Sequence, residues 1–524
     1  MEHEKEKEKE KIQKRLQRNK ISFLLISFYS GVISISDLGV KYYLKDEKKM
    51  NTSSFTQVLL IIKFAYLIKP IYGLLIDFLP IFGYKKKIYL LLCFFINIFS
   101  WYFFILKKND NLLFAIICQL LINITISFST VIGSAIQVDI SRLQDKKNTI
   151  GKGTSDLLSK SYIIKNTGTL IISFSRVFFI DKFSNDVIFY ISGIFSIILL
   201  MSGLFLYEDK IIKKNNNRIE KKSSFHPLVE PQKKEKGNNK LLNLIKNNNI
   251  LILLLLVLIL ESSPSCVSPL FYYETNLLGL NPRKMSIIDC ASSIAVIFFI
   301  YMYNKYFHKY NFKIITFVVR ILIFGSFSLI YLLITKSTQE YINDFILLAI
   351  VTSLNAGLHN LGQLPYNLIC IKYTPFGLEA TTQSFSVFSL YLGNIFADYI
   401  DYLLASYFNI THYDFTNLGK LVFMENIINL IPLLYVWIIP KRFFSVKPAS
   451  SPSRELSFLE KTSNDQRSNG KQEKDNDNDS EENRESFYDG LINNIVVEDN
   501  NIEDINNEPD LNMRDEHSYR YLSF

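Results

Sequence analysis

Long apolar runs, each bounded by charged or turn-forming residues, recur along the whole chain; Ile21–Val40, Leu90–Leu106 and Ile250–Leu260 are the cleanest. No half-exposed soluble helix tolerates such blocks, whereas a hydrocarbon core about 30 Å thick takes roughly 20 apolar residues per helix. The pattern predicts an all-α integral membrane protein of about twelve spanning helices, near 21–43, 55–79, 86–106, 111–140, 157–180, 187–207, 247–271, 285–304, 312–335, 343–371, 379–407 and 418–439. Six precede a long polar segment and six follow it, as in membrane proteins built from two parallel halves. The expected organisation is a charged tail over 1–20, a first half over 21–207, a disordered linker over 208–246, a second half over 247–440 and an acidic, disordered tail over 441–524.

Composition sharpens this only a little. A net charge of +9 is what a nucleic-acid binder would carry, but here the basic residues sit in short loops and in the first twenty positions, so they read as topology signals and no nucleic acid is expected. Both termini are expected in the cytosol, because Lys85–Lys87, Arg142, Lys146, Lys147, Lys152, the linker, Lys305, Lys309 and Lys313 then face inward. Lys41, Lys45, Lys48 and Lys49 in the first outer loop run against that rule, partly offset by Asp46 and Glu47. The five cysteines lie in apolar stretches without metal-like spacing, so neither a disulfide framework nor a metal is expected. No removable signal peptide is read at the start, and Asn51 and Asn409 head sequons in expected outer loops.

The most informative segment closes the second helix. It reads Lys69-Pro70-Ile71-Tyr72-Gly73-Leu74-Leu75-Ile76-Asp77, then Pro80-Ile81-Phe82-Gly83-Tyr84-Lys85-Lys86-Lys87. Gly73 permits close helix approach, and Asp77 beside the basic turn of Lys85, Lys86 and Lys87 suggests a charge latch that holds one face shut. Further on stand Tyr42-Tyr43-Leu44-Lys45-Asp46, Asp139, Asp156-Leu157 with Ser159, Pro264-Ser265, Phe271-Tyr272, Asn276-Leu277-Leu278-Gly279, Pro365, Pro375 with Gly377, Glu379, Ala380 and Thr381, and Phe415 with Asn417-Leu418. Together these resemble the folate-biopterin transporter family of the major facilitator superfamily, over about residues 21 to 440. The resemblance implies a major-facilitator fold and secondary transport, with folate, biopterin or a related pteridine as solute, and a gating role for Gly73, Asp77, Lys85–Lys87, Asp139 and Glu379. Three positions depart from it: Ala135 where an acid is expected, Phe376 where a base is usual, and Gly393-Asn394 in place of Asn-x-Gly.

Charges inside hydrocarbon mark pathways, since they are costly unless they face a cavity or a partner. Lys69 lies eight residues before Asp77, about 12 Å inside the membrane edge at 1.5 Å per residue, and Lys165 and Arg320 fall at similar depth. Three cations at one level suit an anionic solute, although Lys69 can instead bond an internal acid such as Glu261, Arg320 can pair structurally, and Lys63 can snorkel outward. The tenth helix carries Asn355, His359, Asn360, Gln363 and Asn367 at near-helical spacing, a cavity wall able to read a pterin edge or a set of interhelical bonds. Glu261 and His359 are the candidates for proton coupling. With six histidines and no HExxH, GxSxG, CxxC or P-loop, the chain offers no enzyme chemistry and no ATP-driven pump. The sequence predicts a monomeric, lipid-embedded carrier without cofactor, expected in the plasma membrane; a same-fold carrier of a nucleoside, an amino-acid derivative or a drug is the alternative.

Overall fold

The computed structural model describes residues 2–108, 111–144, 152–179, 185–210, 244, 246, 248–307, 310, 312–337, 340–411 and 413–438. Its described residues from Arg15 to Ile438 belong to one compact body. Residues 2–14, read above as part of a tail, are helical, and Lys14 bonds Glu10 at 2.5 Å. Most of the expected linker and all of the C-terminal tail lie outside the described residues, as do Lys146, Lys147 and Lys309.

Among the described residues twelve helical segments build the body. They are α1 (Gln13–Glu47), α2 (Thr52–Phe78), α3 (Lys87–Lys107), α4 (Leu112–Leu143), α5 (Lys152–Phe179), α6 (Val187–Phe205), α7 (Asn248–Glu261, resuming as Val267–Tyr272), α8 (Pro282–Lys305), α9 (Phe312–Ile334), α10 (Asp344–Tyr373), α11 (Glu379–Tyr407) and α12 (Leu418–Trp437). Nine are long and apolar enough to cross a membrane. The exceptions are informative: α5 carries Asp156, Lys160, Lys165 and Arg176, α7 is broken, and α11 carries Glu379, Asp398 and Asp401. All three pack between the halves, where polar groups find protein partners instead of lipid. The apolar exteriors lie elsewhere. Phe95 and Phe99 on α3, Ile194 on α6, Ile314 on α9 and Trp437 on α12 point outward and are exposed, as a lipid-facing surface requires.

The two halves are built alike, down to the end of their first helix. α1 finishes in a π-turn over Tyr43–Glu47, and α7 finishes in one over Tyr273–Leu277. Lys48 N–H donates to the Tyr43 carbonyl at 3.0 Å, and Leu278 N–H to that of Tyr273 at 3.1 Å. Each turn is followed by a left-handed residue, Lys49 (φ 50°) and Gly279 (φ 61°). Each next helix is then capped by an asparagine: Asn51 accepts from Ser54 N–H, and Asn281 from Lys284 N–H.

These matched turns close one face of the bundle reciprocally. Tyr42 Oη donates to the Leu280 carbonyl at 3.3 Å, and its counterpart Tyr272 Oη donates to the Met50 carbonyl at 2.7 Å. Phe55 stacks on Phe271 between them, with ring centroids 5.6 Å apart. The same face has two cross-half ion pairs, Lys63 with Asp398 and Arg176 with Asp289. Lys63 therefore does not snorkel to the headgroups; a carboxylate within reach across the interface holds it.

Tyr42→Phe and Tyr272→Phe each remove one reciprocal bond, a net loss of about 0.5–1.5 kcal/mol apiece. With Ser268→Cys as sole cysteine, the double variant is expected to label faster with a membrane-impermeant thiol reagent than the same background with both tyrosines. Equal labelling rates would remove these bonds from the closure of this face.

Candidate functional site

A cavity of about 420 Å³ lies between the halves. Its wall comes from α1 (Ser27, Ser30), α2 (Lys69), α4 (Thr130, Ser134, Gln137), α5 (Ser161, Tyr162, Lys165), α10 (His359, Asn360, Gln363, Asn367) and α11 (Gln383, Tyr391, Asn394). Lys69 is placed there by Pro70, which has no N–H to continue the ladder, so α2 bends at Ile68. The Lys69 side chain is buried; its ammonium donates to Thr130 Oγ1 at 3.2 Å and lies 4.8 Å and 5.2 Å from the ring centroids of Tyr391 and Tyr66. Those two rings stack across the halves, centroids 4.2 Å apart and nearly parallel.

Of the three mid-membrane cations, only Lys69 and Lys165 reach this cavity. Arg320 sits behind α10, held by the Leu260 carbonyl and by Ser263 Oγ at 3.3 Å. The Leu260 carbonyl is free because α7 breaks after Glu261, and it accepts from Ser263 Oγ at 3.4 Å as well as from Arg320 of α9. The α10 series divides in the same way. His359, Asn360, Gln363 and Asn367 face the cavity, whereas Asn355 turns to α9 and accepts from Ser326 Oγ. Glu261 does not pair with Lys69. It meets His359 Nε2 at 3.1 Å and accepts from Gln363 Nε2 at 3.4 Å.

The residues expected to form a charge latch take other partners. Asp77 is buried and does not bond the lysine turn. It accepts from Thr381 N–H at 2.8 Å, Thr381 Oγ1 at 2.7 Å and Ala380 N–H at 3.3 Å. α11 has no side-chain cap from its own N-cap residue Leu378, so a carboxylate from the other half caps it and meets the positive end of its dipole. Gly73 makes that approach possible, because a Cβ there would strike Ser384 Oγ and lie 2.8 Å from the Ala380 carbonyl. The turn lysines serve the first half instead. Lys86 pairs with Asp139, while the N–H groups of Lys85, Lys86 and Lys87 bind the Glu208 carboxylate at 2.7, 3.0 and 2.9 Å. Glu208, read above as the first linker residue, is thus an anchor at the start of α3. Glu379 bridges the halves by pairing with Arg142, which also donates to the Thr374 carbonyl at 2.7 Å.

A family model described as BT1 family matches residues 30–453. The chain belongs to the BT1 family. Folate transporter 1 of Plasmodium falciparum (isolate 3D7) is 26% identical to it over 431 residues, covering 80% of this chain and 79% of that protein. The Folate-biopterin transporter of Synechocystis sp. is 21% identical over 431 residues, covering 80% and 81%. Among solved structures, the nucleoside transporter NupG superimposes with a TM-score of 0.55 at 13% identity over 80% of this chain and 99% of its own. XylE, a proton:xylose symporter, gives 0.55 at 12% identity over 82% and 96%. The fold is that of the major facilitator superfamily, and this BT1-family chain is a multi-pass membrane transporter, not an enzyme.

The three departures from the family pattern have local reasons here. Phe376, at the usual basic position, lies under the Arg142 guanidinium with 4.0 Å to its ring centroid. Gly393 meets α7 so closely that a Cβ would lie 2.7 Å from the Leu258 carbonyl, and Asn394 then faces the cavity. Ala135 is fully buried among apolar side chains of the first half, where a carboxylate would lack partners. Sequence reading missed Tyr66, Tyr391, Tyr162 and Gln383. The polar row Ser127, Thr130, Ser134 and Gln137, at three- and four-residue spacing, was an available sign that α4 turns one face to a cavity.

Asp77→Ala removes the cross-half cap, a loss of about 0.5–2 kcal/mol from closure at this face. The variant is expected to expose a cysteine at Ser384 to thiol reagent more often than wild type, while Asp77→Asn, which keeps an acceptor, falls between them. An unchanged rate for Asp77→Ala would show that the cap does not hold this face.

Proposed function

We propose that this chain is a secondary active transporter moving folate- or pterin-type anions by alternating access. The observation that carries the reading is the pair Lys69 and Lys165 at the cavity wall: among the described residues neither forms an ion pair, and the polar wall around them is amide, hydroxyl and the His359 imidazole. Two lysines without an ion pair at a cavity wall in a bilayer suit a solute that brings its own carboxylates. Tyr66 and Tyr391 offer flat apolar faces to a planar ring, and Asn360, Gln363 and Asn367 offer donors and acceptors to its edge. A volume of about 420 Å³ falls within the usual range for small-molecule sites. The names of the relatives above agree with a folate or biopterin solute.

Alternation follows from the two sets of cross-half contacts. Asp77 with the α11 terminus, Arg142 with Glu379, and Asp156 accepting from Asn304 at 2.9 Å close the face that carries the basic turn. Tyr42, Tyr272, Lys63 and Arg176 close the other. In each half-cycle one set breaks and the other holds. The basic turn is assigned to the cytosol by its positive charge, and the carrier is proposed to act as a monomer in the plasma membrane. Glu261 with His359 is the titratable pair by which the cavity couples solute to a proton, since His359 reaches the cavity while Glu261 is buried behind it.

Labelled folic acid uptake into proteoliposomes tests this. Wild type should show saturable uptake. Lys69→Ala should lower it about tenfold to a hundredfold, as expected for losing a charged contact of about 1.5–3 kcal/mol. An inward proton gradient should raise the wild-type rate and leave Glu261→Gln unaffected. Wild-type protein that takes up neither folate nor biopterin would leave the fold intact and reject the solute.

A further inference from the structure

Away from the cavity, α11 and α12 bring two carboxyl groups together inside the membrane. Asp401 and Glu425 are 4% and 0% exposed, and their carboxyls lie within hydrogen-bonding reach of each other. Their surroundings differ. Asp401 accepts from the N–H groups of Ser265 at 3.2 Å and Val267 at 3.4 Å, which are freed by the break in α7, where Cys266 adopts φ 54°. Among the described residues, neither oxygen of Glu425 has a donor. Two adjacent buried carboxylates without a cation cannot both be ionised, and the one lacking donors is the one that keeps a proton. That proton, placed on Glu425 and directed at Asp401, supplies the missing donor and leaves one charge, spread over the α7 amides.

Among the described residues, the other groups around the pair bring no spare cation to it. Asp398, one turn earlier on α11, is neutralised by Lys63 of α2. α7 contributes the Cys266 thiol and, farther off, Glu274. α12 contributes Asn426, bonded to Ser328 on α9 at 3.0 Å, and Asn429, bonded to the Pro264 carbonyl at 3.2 Å. A second pocket, of about 150 Å³, leads to Asp401 past Thr52, Thr56, Ser268 and Asp398. It lies between the halves at the face closed by Tyr42 and Tyr272, and Glu425 is not on its wall.

We infer that Asp401 and Glu425 form a proton-binding site whose proton, on Glu425 behind the pocket wall, is held while this face is closed and exchanges with that side through Asp401 when the face opens. Separation of the halves breaks Lys63–Asp398 and admits water to Asp401; closure traps whichever protonation state was reached. The site thus ties proton occupancy to the gate and not to the solute cavity, and it holds whatever the solute is.

Infrared spectroscopy of the purified full chain in lipid nanodiscs tests this without any solute, so its result is independent of folate uptake. Wild type in sodium-free buffer at neutral pH should show a protonated-carboxyl band that shifts in heavy water and titrates away at alkaline pH. Glu425→Gln should lose that band, Asp401→Asn should keep it but shift its frequency by replacing the acceptor of the Glu425 proton, and Tyr42→Phe/Tyr272→Phe should speed its exchange into heavy water severalfold. A wild-type spectrum without the band overturns the site even if the variants fail to fold. A band unchanged in Glu425→Gln overturns the residue assignment. Loss of the wild-type band on adding sodium at constant pH would make this a sodium site and overturn the proton.

Discussion

Hydrocarbon offers no hydrogen-bond partner, and that constraint organises every irregular part of this molecule. Where α7 breaks after Glu261, the freed backbone is met by Asp401 from α11, Asn429 from α12 and Arg320 from α9. Where α11 begins without a cap of its own, Asp77 comes from the other half to provide one. The broken or polar helices therefore sit between the halves, beside α2 and α8, because the interface supplies partners that lipid does not.

The same constraint explains why closure is polar at both faces. An apolar seam would gain little from association in lipid, where tails are as apolar as leucine. Hydrogen bonds and ion pairs can close the halves and can also be exchanged for water when a face opens. The reciprocal Tyr42 and Tyr272 bonds show this economically: one local structure, a π-turn followed by a left-handed residue and an asparagine cap, occurs once in each half and presents the carbonyl that the other half's tyrosine needs.

A buried charge in a membrane helix marks either a pathway or a partner, and the structure sorts these charges by their neighbours. Lys69 and Lys165 face open volume, whereas Arg320 and Lys63 found partners on adjoining helices. Asn355 and Asn360 are five residues apart on one helix, and yet one bonds α9 and the other lines the cavity. Spacing places a residue on a helix face; which neighbour that face meets is a property of packing. Glu425 shows the converse, since a single carboxyl in an apolar run carries no sign in sequence that Asp401 lies opposite it.

The sequence by itself determined the number and approximate limits of the helices, the division into two halves, and the family. These follow from the bilayer's thickness and from short-range motifs, both of which act along the chain. Tertiary structure alone decided that Asp77 caps α11 instead of latching the lysine turn, that Glu208 anchors that turn, that Tyr66 stacks on Tyr391, and that two carboxyls meet between α11 and α12. Each of these joins residues far apart in sequence across a helix interface, and no periodicity along one helix records the rotation of its neighbour.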